Sequence, residues 1–422
     1  MITDVMSKKD ITKLRLVCKK FHENTISRFI DEFTREVSVM ITNKGLKALS
    51  DICESPVFGP SVRKITISTR FLHDETACRC NVCLADCEFK FLREDDWCPS
   101  RTVNPRYAEQ QALKAPRKAL HEVAQALGYL KCHGNAIYIS ISDELWGTIG
   151  HQSFCADIED FEDFDKEGLV WYTDHTFVFS MLFQALKTSK LEVKNLELIF
   201  DHSKWEQIAE DDFADRFEAG PLKLDESSLE LVADVGSKIE EVRLEFLNEP
   251  DYIGETTCRS LAKLLRKLTH IRTLHIEYDF QDSLGVCYAP NAYQEHFKLL
   301  EPYVVSTDLS HLHLVMMMME RKTLTKLLKR HASTLKYLSL NNCALSTKGD
   351  WDRLLRWLLV NLSLERIKID FLLIHDPSKD HGNDGIAVAE CQSYARRLSA
   401  TGASQVKKCL KKAIACSKRS SS

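Results

Sequence analysis

The chain has 422 residues, 44% of them hydrophobic and 28% charged, which excludes a disordered polymer and allows two or three domains or one elongated repeat array. A formal net charge of -4 excludes a surface tuned throughout to nucleic acid or anionic lipid, so nucleic acid is not an expected partner. No apolar run of secretory type follows Met1, and the stretches 314–319 and 371–374 are too short to cross a bilayer, which points to the cytoplasm or nucleus without membrane insertion. In that setting the 15 cysteines read as core thiols or metal ligands, not as a disulfide framework.

From Asp10 to Phe33 the apolar residues Ile11, Leu14, Val17, Cys18 and Phe21 recur at spacings of three and four, and Ile26, Phe29, Ile30 and Phe33 continue them. The spacing predicts a helix with Lys13, Arg15, Lys19 and Lys20 on its solvated side. Lys44–Cys53 predicts another short amphipathic helix, ended by Ser55-Pro56 and Gly59-Pro60. Val62–Ser68 then alternates as a strand with Ile65 and Ile67 inward.

The same short alternation returns at Ala136–Ile139, Val193–Leu198, Ile239–Leu244, Ile271–Ile276, Leu309–Leu314, Leu335–Leu340 and Leu364–Ile369. The first inward positions are 65, 137, 196, 242, 274, 312, 338 and 367, so the repeat tightens toward the C-terminus. The sharpest unit is Leu335-Lys-Tyr-Leu338-Ser-Leu340-Asn-Asn-Cys343-Ala-Leu345, which fits the leucine-rich pattern L-x-x-L-x-L-x-x-N/C-x-L along its length. In it Cys343 closes the turn beneath the strand and Leu345 returns to the core. Helical patterns at Pro116–Leu130, Phe177–Leu186, Leu261–Leu268, Phe297–Val305, Leu324–Leu328 and Leu354–Leu359 fall between strands, the later ones placed to cover one side of a curved sheet.

The expected fold is therefore α/β: an irregular leucine-rich-repeat-like solenoid, a curved parallel sheet with outer helices, over 36–375. Insertions interrupt it at 70–105 and at the acid-rich 155–168, a helical segment precedes it over 1–35, and a loop, a helix and a basic tail follow over 376–422. Adjacent Met316–Met319 divide between core and edge.

Three chemistries are testable against these residues. Cys78, Cys80, Cys83 and Cys87, followed by Cys98, form the strongest metal hypothesis, because soft thiolates bind Zn²⁺ tetrahedrally and close pairs ease assembly; His73 is a further ligand, and free thiols are the alternative. His275 and His313 on successive strands, near Glu245 and Glu277, have no activated serine or cysteine beside them, and no phosphate cradle or zinc-protease helix is present, so no catalytic residue is expected. Instead Glu241, Arg243, Glu245, His275, Glu277, His313, Tyr337, Asn341 and Lys368 point away from the repeat core and form a surface of mixed charge suited to a protein partner.

Asp10-Ile-Thr-Lys-Leu14-Arg15-Leu16-Val17-Cys18-Lys19-Lys20-Phe21-His22 resembles the second half of an F-box. With the leucine-rich units, the chain looks like the fungal F-box proteins that carry irregular leucine-rich-like repeats. That resemblance implies a non-catalytic substrate adaptor of a Skp1–cullin ubiquitin ligase. Leu14, Leu16, Val17, Cys18 and Phe21 would hold Skp1 while the repeat face presents a protein substrate. The family's leucine-proline start and first helix have only Met1–Met6 to supply them, so the partial F-box leaves a protein-binding scaffold without ligase association as the alternative.

Overall fold

The computed structural model describes residues 19–72, 105–115, 118–143, 148–150, 171–201, 222–247, 254–279, 287–288, 290–345, 348–370, 372–375, 388–389, 391–395 and 398–419. Leu14, Leu16, Val17 and Cys18, His73 and all five cysteines of the zinc hypothesis, and the acid-rich insertion lie outside them. Phe21 lies in a helix, with its side chain outside the described set. The chain divides into two compact units, Met1–Glu192 and Val193–Ser422.

The first unit runs α1 (Lys19–Phe33), β1 (Glu36–Val39), α2 (Asn43–Glu54), β2 (Lys64–Ser68), β3 (Arg70–Leu72), α3 (Pro105–Lys114), α4 (Lys118–Cys132), β4 (Ile137–Ser142), β5 (Trp171–Thr173) and α5 (His175–Ser189). β1, β2 and β4 pair in parallel, and β3 pairs antiparallel with β5. Ile65 stands opposite Ile139 rather than Ile137, so the inward position of this strand is two residues later than the sequence spacing predicts. A shift of two keeps the same face, and Ile137, Ile139 and Ile141 are all buried. Two of these helices, α2 and α5, start where a side chain replaces the missing carbonyl partner: Thr42 accepts from the Gly45 amide at 3.0 Å, and Asp174 accepts from the Phe177 amide at 2.9 Å.

The second unit opens with β6 (Val193–Asp201), α6 (Glu226–Val235), β7 (Glu241–Leu247), α7 (Glu255–Lys267), β8 (Thr273–Asp279), β9 (Cys287–Tyr288) and α8 (Pro290–Leu300). It continues with β10 (His311–Val315), α9 (Arg321–Arg330), β11 (Tyr337–Asn341), β12 (Ala344–Leu345), α10 (Lys348–Asn361), β13 (Arg366–Asp370) and β14 (Leu372–His375). It closes with β15 (Val388–Ala389), β16 (Cys391–Ala395), β17 (Leu398–Thr401) and α11 (Ala403–Arg419). Strands β6, β7, β8, β10, β11 and β13 are parallel neighbours in chain order, and β17 closes the edge antiparallel to β13.

Each parallel step carries a helix, and right-handed crossovers that always advance in one direction put every such helix on the same face. The strand residues on that face are accordingly buried: Val242, Leu244 and Phe246; Leu274, Ile276 and Tyr278; Leu312 and Leu314; Leu338 and Leu340; Ile367 and Ile369. α7 answers with Leu261, Leu264 and Leu265, and α9 with Leu324, Leu327 and Leu328, each set at the spacing that gathers side chains on one stripe.

The steps repeat atom for atom at the strand entrances. The Glu240 carbonyl accepts from the Arg272 and Thr273 amides, that of Arg272 from Ser310 and His311, that of Ser310 from Lys336 and Tyr337, and that of Lys336 from Glu365 and Arg366, all at 2.6–3.0 Å. At the other end, Met316 after β10 and Asn342 after β11 both take positive φ, 54° and 50°. Asn tolerates this region well; Met does so only where its surroundings compel it. The Cys343 thiol then reaches back to the Leu314 carbonyl at 3.3 Å, and Leu345 is buried, which is the turn that the leucine pattern predicts. Met317, Met318 and Met319 are core residues, and Met316 is half-buried.

Burial pushes the Cys53, Cys258 and Cys343 thiols up to about 12. At pH 8 only about one molecule in ten thousand of such a group is thiolate, the form that attacks an alkylating agent. Iodoacetamide at pH 8 should therefore label the exposed Cys132 within minutes and leave those three thiols unmodified until denaturant is added, as read by peptide mass spectrometry. Labelling of Cys343 at the rate of Cys132 would contradict the packing of β11 and β12.

Candidate functional site

The crossover helices lie on one face of the second unit's sheet, and the register brings the side chains of the other face into three rows. The first is Asn195, Glu241, Thr273, His311, Tyr337 and Arg366; the second is Glu197, Arg243, His275, His313, Ser339 and Lys368; the third is Ile199, Glu245, Glu277, Val315, Asn341 and Asp370. All nine residues predicted to meet a partner stand in these rows. Neighbouring strands lie about 4.8 Å apart, so side chains in one row touch.

At the β6–β8 end, Arg243 is held by carboxylates on three strands. Its Nη2 donates to Glu277 at 2.9 Å and to Glu245, and its Nε lies 3.7 Å from Glu197. Burial opposes the Arg243 charge, but the three carboxylates outweigh it and raise its pKa. Burial raises Glu245 too, and repulsion from Glu197 and Glu277 adds to that rise against the pull of Arg243. Glu277 goes the other way, because the hydrogen bond from His275 Nε2 at 2.8 Å favours its anion.

Aromatic groups cross the middle. His275 and His313 stack at 5.4 Å with their planes 10° apart, and the Tyr337 ring meets His313 edge-on at 4.7 Å and His311 at 5.8 Å. The Arg366 guanidinium lies 5.0 Å from the Tyr337 centroid, so the ring is largely covered by its neighbours and is only 9% exposed. Burial, reinforced by His275, His311, Lys368 and Arg366, pushes His313 down to about 4, and it is neutral at pH 7. Arg366 and Lys368 are exposed at the far side.

A second polar group, which sequence reasoning missed, lies in the first unit where β2 and β4 end. The Thr69 hydroxyl and the Arg70 guanidinium both reach Asp143, through its carboxylate and its carbonyl, and His175 Nε2 lies 2.7 Å from Asp143 Oδ1. Nucleophilic catalysis needs the hydroxyl to face the imidazole, whereas Thr69 and His175 address the same carboxylate oxygen. The group ties the strand ends to the first turn of α5. Beside it, Lys114 pairs with Asp174, its Nζ is 2.6 Å from the Tyr172 hydroxyl, and Phe71 and Tyr172 lie 4.3 and 4.6 Å from it. No spacing in the sequence announces either cluster, because their members come from loop ends far apart in the chain.

Among the described residues, no group of three or more His, Cys, Asp or Glu side chains is placed to hold a metal ion, and no helix is long and apolar enough to cross a membrane. The site and its frame define an α/β protein with a mostly parallel sheet and outer helices, one face of which carries polar and aromatic side chains. No family model and no curated protein matches the chain.

Proposed function

We propose that the chain is a non-catalytic adaptor that holds a protein substrate on the polar face of its second unit. In this reading the second unit is an irregular leucine-rich-repeat-like solenoid whose units start near 242, 274, 312, 338 and 367. The observation that carries it is the in-register ladder from Glu197 to Lys368, in which salt bridges and stacked rings hold the side chains in place before a partner arrives. Carboxylates, imidazoles, a tyrosine and cations in one surface suit the mixed chemistry of a protein better than a phosphate backbone. Preordered side chains also lower the entropic cost of binding.

The link to a Skp1–cullin ubiquitin ligase rests on the resemblance of Asp10–His22 to the later part of the F-box. Leu14, Leu16, Val17, Cys18 and Phe21 are the proposed Skp1 contacts, and ubiquitin transfer takes place on the other subunits. The test is co-purification of the full natural chain with Skp1. The wild-type chain should retain Skp1, and Leu16→Glu with Phe21→Glu should reduce recovery at least about tenfold, a loss equivalent to about 1.4 kcal/mol. A chain that binds a protein through Tyr337 and Lys368 yet ignores Skp1 is a scaffold without the ligase, and the adaptor reading then fails.

A further inference from the structure

We infer that the polar face of the second unit takes an extended peptide segment laid across the strands in one direction only. A basic side chain sits over the β6–β8 end and an acidic one over β13, about five or six residues away. The inference rests on the partner-binding reading of this face and adds the chemistry and polarity of what binds.

The two ends carry opposite charge. Glu197, Glu245 and Glu277 hold Arg243, Glu241 stands on the same strand, and Lys194 and Arg272 share Glu240, so five carboxylates face three cations and the β6–β8 end is negative even after its internal pairing. At the other end Arg366 and Lys368 are exposed and, among the described residues, neither pairs with a carboxylate; the adjacent Lys336 is already matched by Glu365 at 3.2 Å. Asp370 is buried at the far end of β13 and does not stand in the row of either cation. The effect of Arg366 and Lys368 is felt as far as His313, whose proton both of them disfavour.

Between the poles the His275 and His313 rings stack and the Tyr337 ring stands edge-on to His313, an aromatic strip suited to packing an apolar side chain of the segment. From β7 to β13 there are four strand-to-strand steps of about 4.8 Å, or about 19 Å. An extended chain covers that distance at about 3.4 Å per residue, which sets the five-to-six-residue interval. Reversing the segment would put a cation against Arg366 and Lys368 and a carboxylate against four glutamates, so the geometry selects one order of charges.

The test is selection of random twelve-residue peptides, displayed on phage, against the full chain at low salt. Enriched clones should carry Lys or Arg and Asp or Glu five or six residues apart, predominantly in one order. A synthetic peptide of the best sequence should bind about tenfold more tightly than the same peptide with the two charged residues exchanged. Arg366→Glu with Lys368→Glu, both at exposed positions and checked for folding by circular dichroism, should abolish the preference for the acidic residue and keep that for the basic one. Peptides that bind equally in both orders, or whose acidic preference survives the double replacement, overturn the inference and leave the binding face standing. If no peptide is enriched, or binding ignores His313, Tyr337, Arg366 and Lys368 alike, the partner-binding reading falls and the inference with it.

Discussion

Phe246→Ala is expected to destabilise the second unit by about 3–5 kcal/mol, the range for removing a fully buried aromatic ring. Phe246 has no exposed surface and stands in register between Phe200 and Tyr278, stacked on them at 5.4 and 4.7 Å. The column continues from Tyr278 to His296 at 6.3 Å, and burial alone pushes His296 down to about 4. A hole at Phe246 therefore opens the middle of a four-ring column, where neither neighbour can collapse inward without leaving its own strand. For a unit of this size the midpoint of thermal unfolding should fall by on the order of 10 °C, with loss of near-ultraviolet circular dichroism. Phe246→Leu keeps most of the volume and should cost less than half as much. Equal effects of the two replacements, or a fall of only a degree or two with alanine, would show that the column does not hold the strand ends together.

The strands were legible because burial on one face imposes a period of two. Val242, Leu274, Leu312, Leu338 and Ile367 are register partners as the leucine spacing predicts, and the outward residues follow from that alone. The mismatch at Ile137 arose where three buried isoleucines in one strand make positions two apart equivalent by pattern. β1, with four residues, and the antiparallel β17 escaped notice because short segments carry too few alternations to stand out from chance. α6 has Asp225 as its cap and buries Leu229 and Val232, a pattern too brief to separate from loop before the structure is known.

The polar face was legible as a set of residues but not as a set of contacts. That Arg243 meets Glu277, and His275 meets His313, depends on β7, β8 and β10 being neighbours in that order, which periodicity within each strand does not state. The Asp143–His175 group was not legible at all, because such contacts depend on loop paths and not on a repeated pattern.

Arg243→Ala tests whether the acidic end of the ladder is held together by its one cation, and its signature is a stability loss that shrinks as pH falls. At neutral pH the replacement leaves Glu197, Glu245 and Glu277 facing one another, with Glu245 and Glu277 directly opposite on adjacent strands. Breaking a fully buried pair costs about 3–5 kcal/mol; the Arg243 side chain is 35% exposed, and solvent screening brings the expected loss to about 1–2 kcal/mol. Glu245 already has a folded pKa above its ordinary value, and a carboxyl raised in this way binds its proton more tightly folded than unfolded, so acid relieves its cost. Without Arg243 that pKa rises further, and protonation of Glu245 removes one of the three repelling charges. The gap between variant and wild type should therefore be widest near pH 7.5 and narrower near pH 5, in urea denaturation at the two values. Glu277 does not disturb this comparison: its folded pKa is depressed, so its contribution is present above the ordinary carboxylate value and is lost only as pH falls through the lower folded one. Glu245→Gln in the Arg243→Ala background should recover most of the loss at pH 7.5, because it removes a charge without changing the shape. A gap that stays constant or widens toward pH 5 would mean that Arg243 acts through packing of its stem, and the electrostatic account of this end of the face would be wrong.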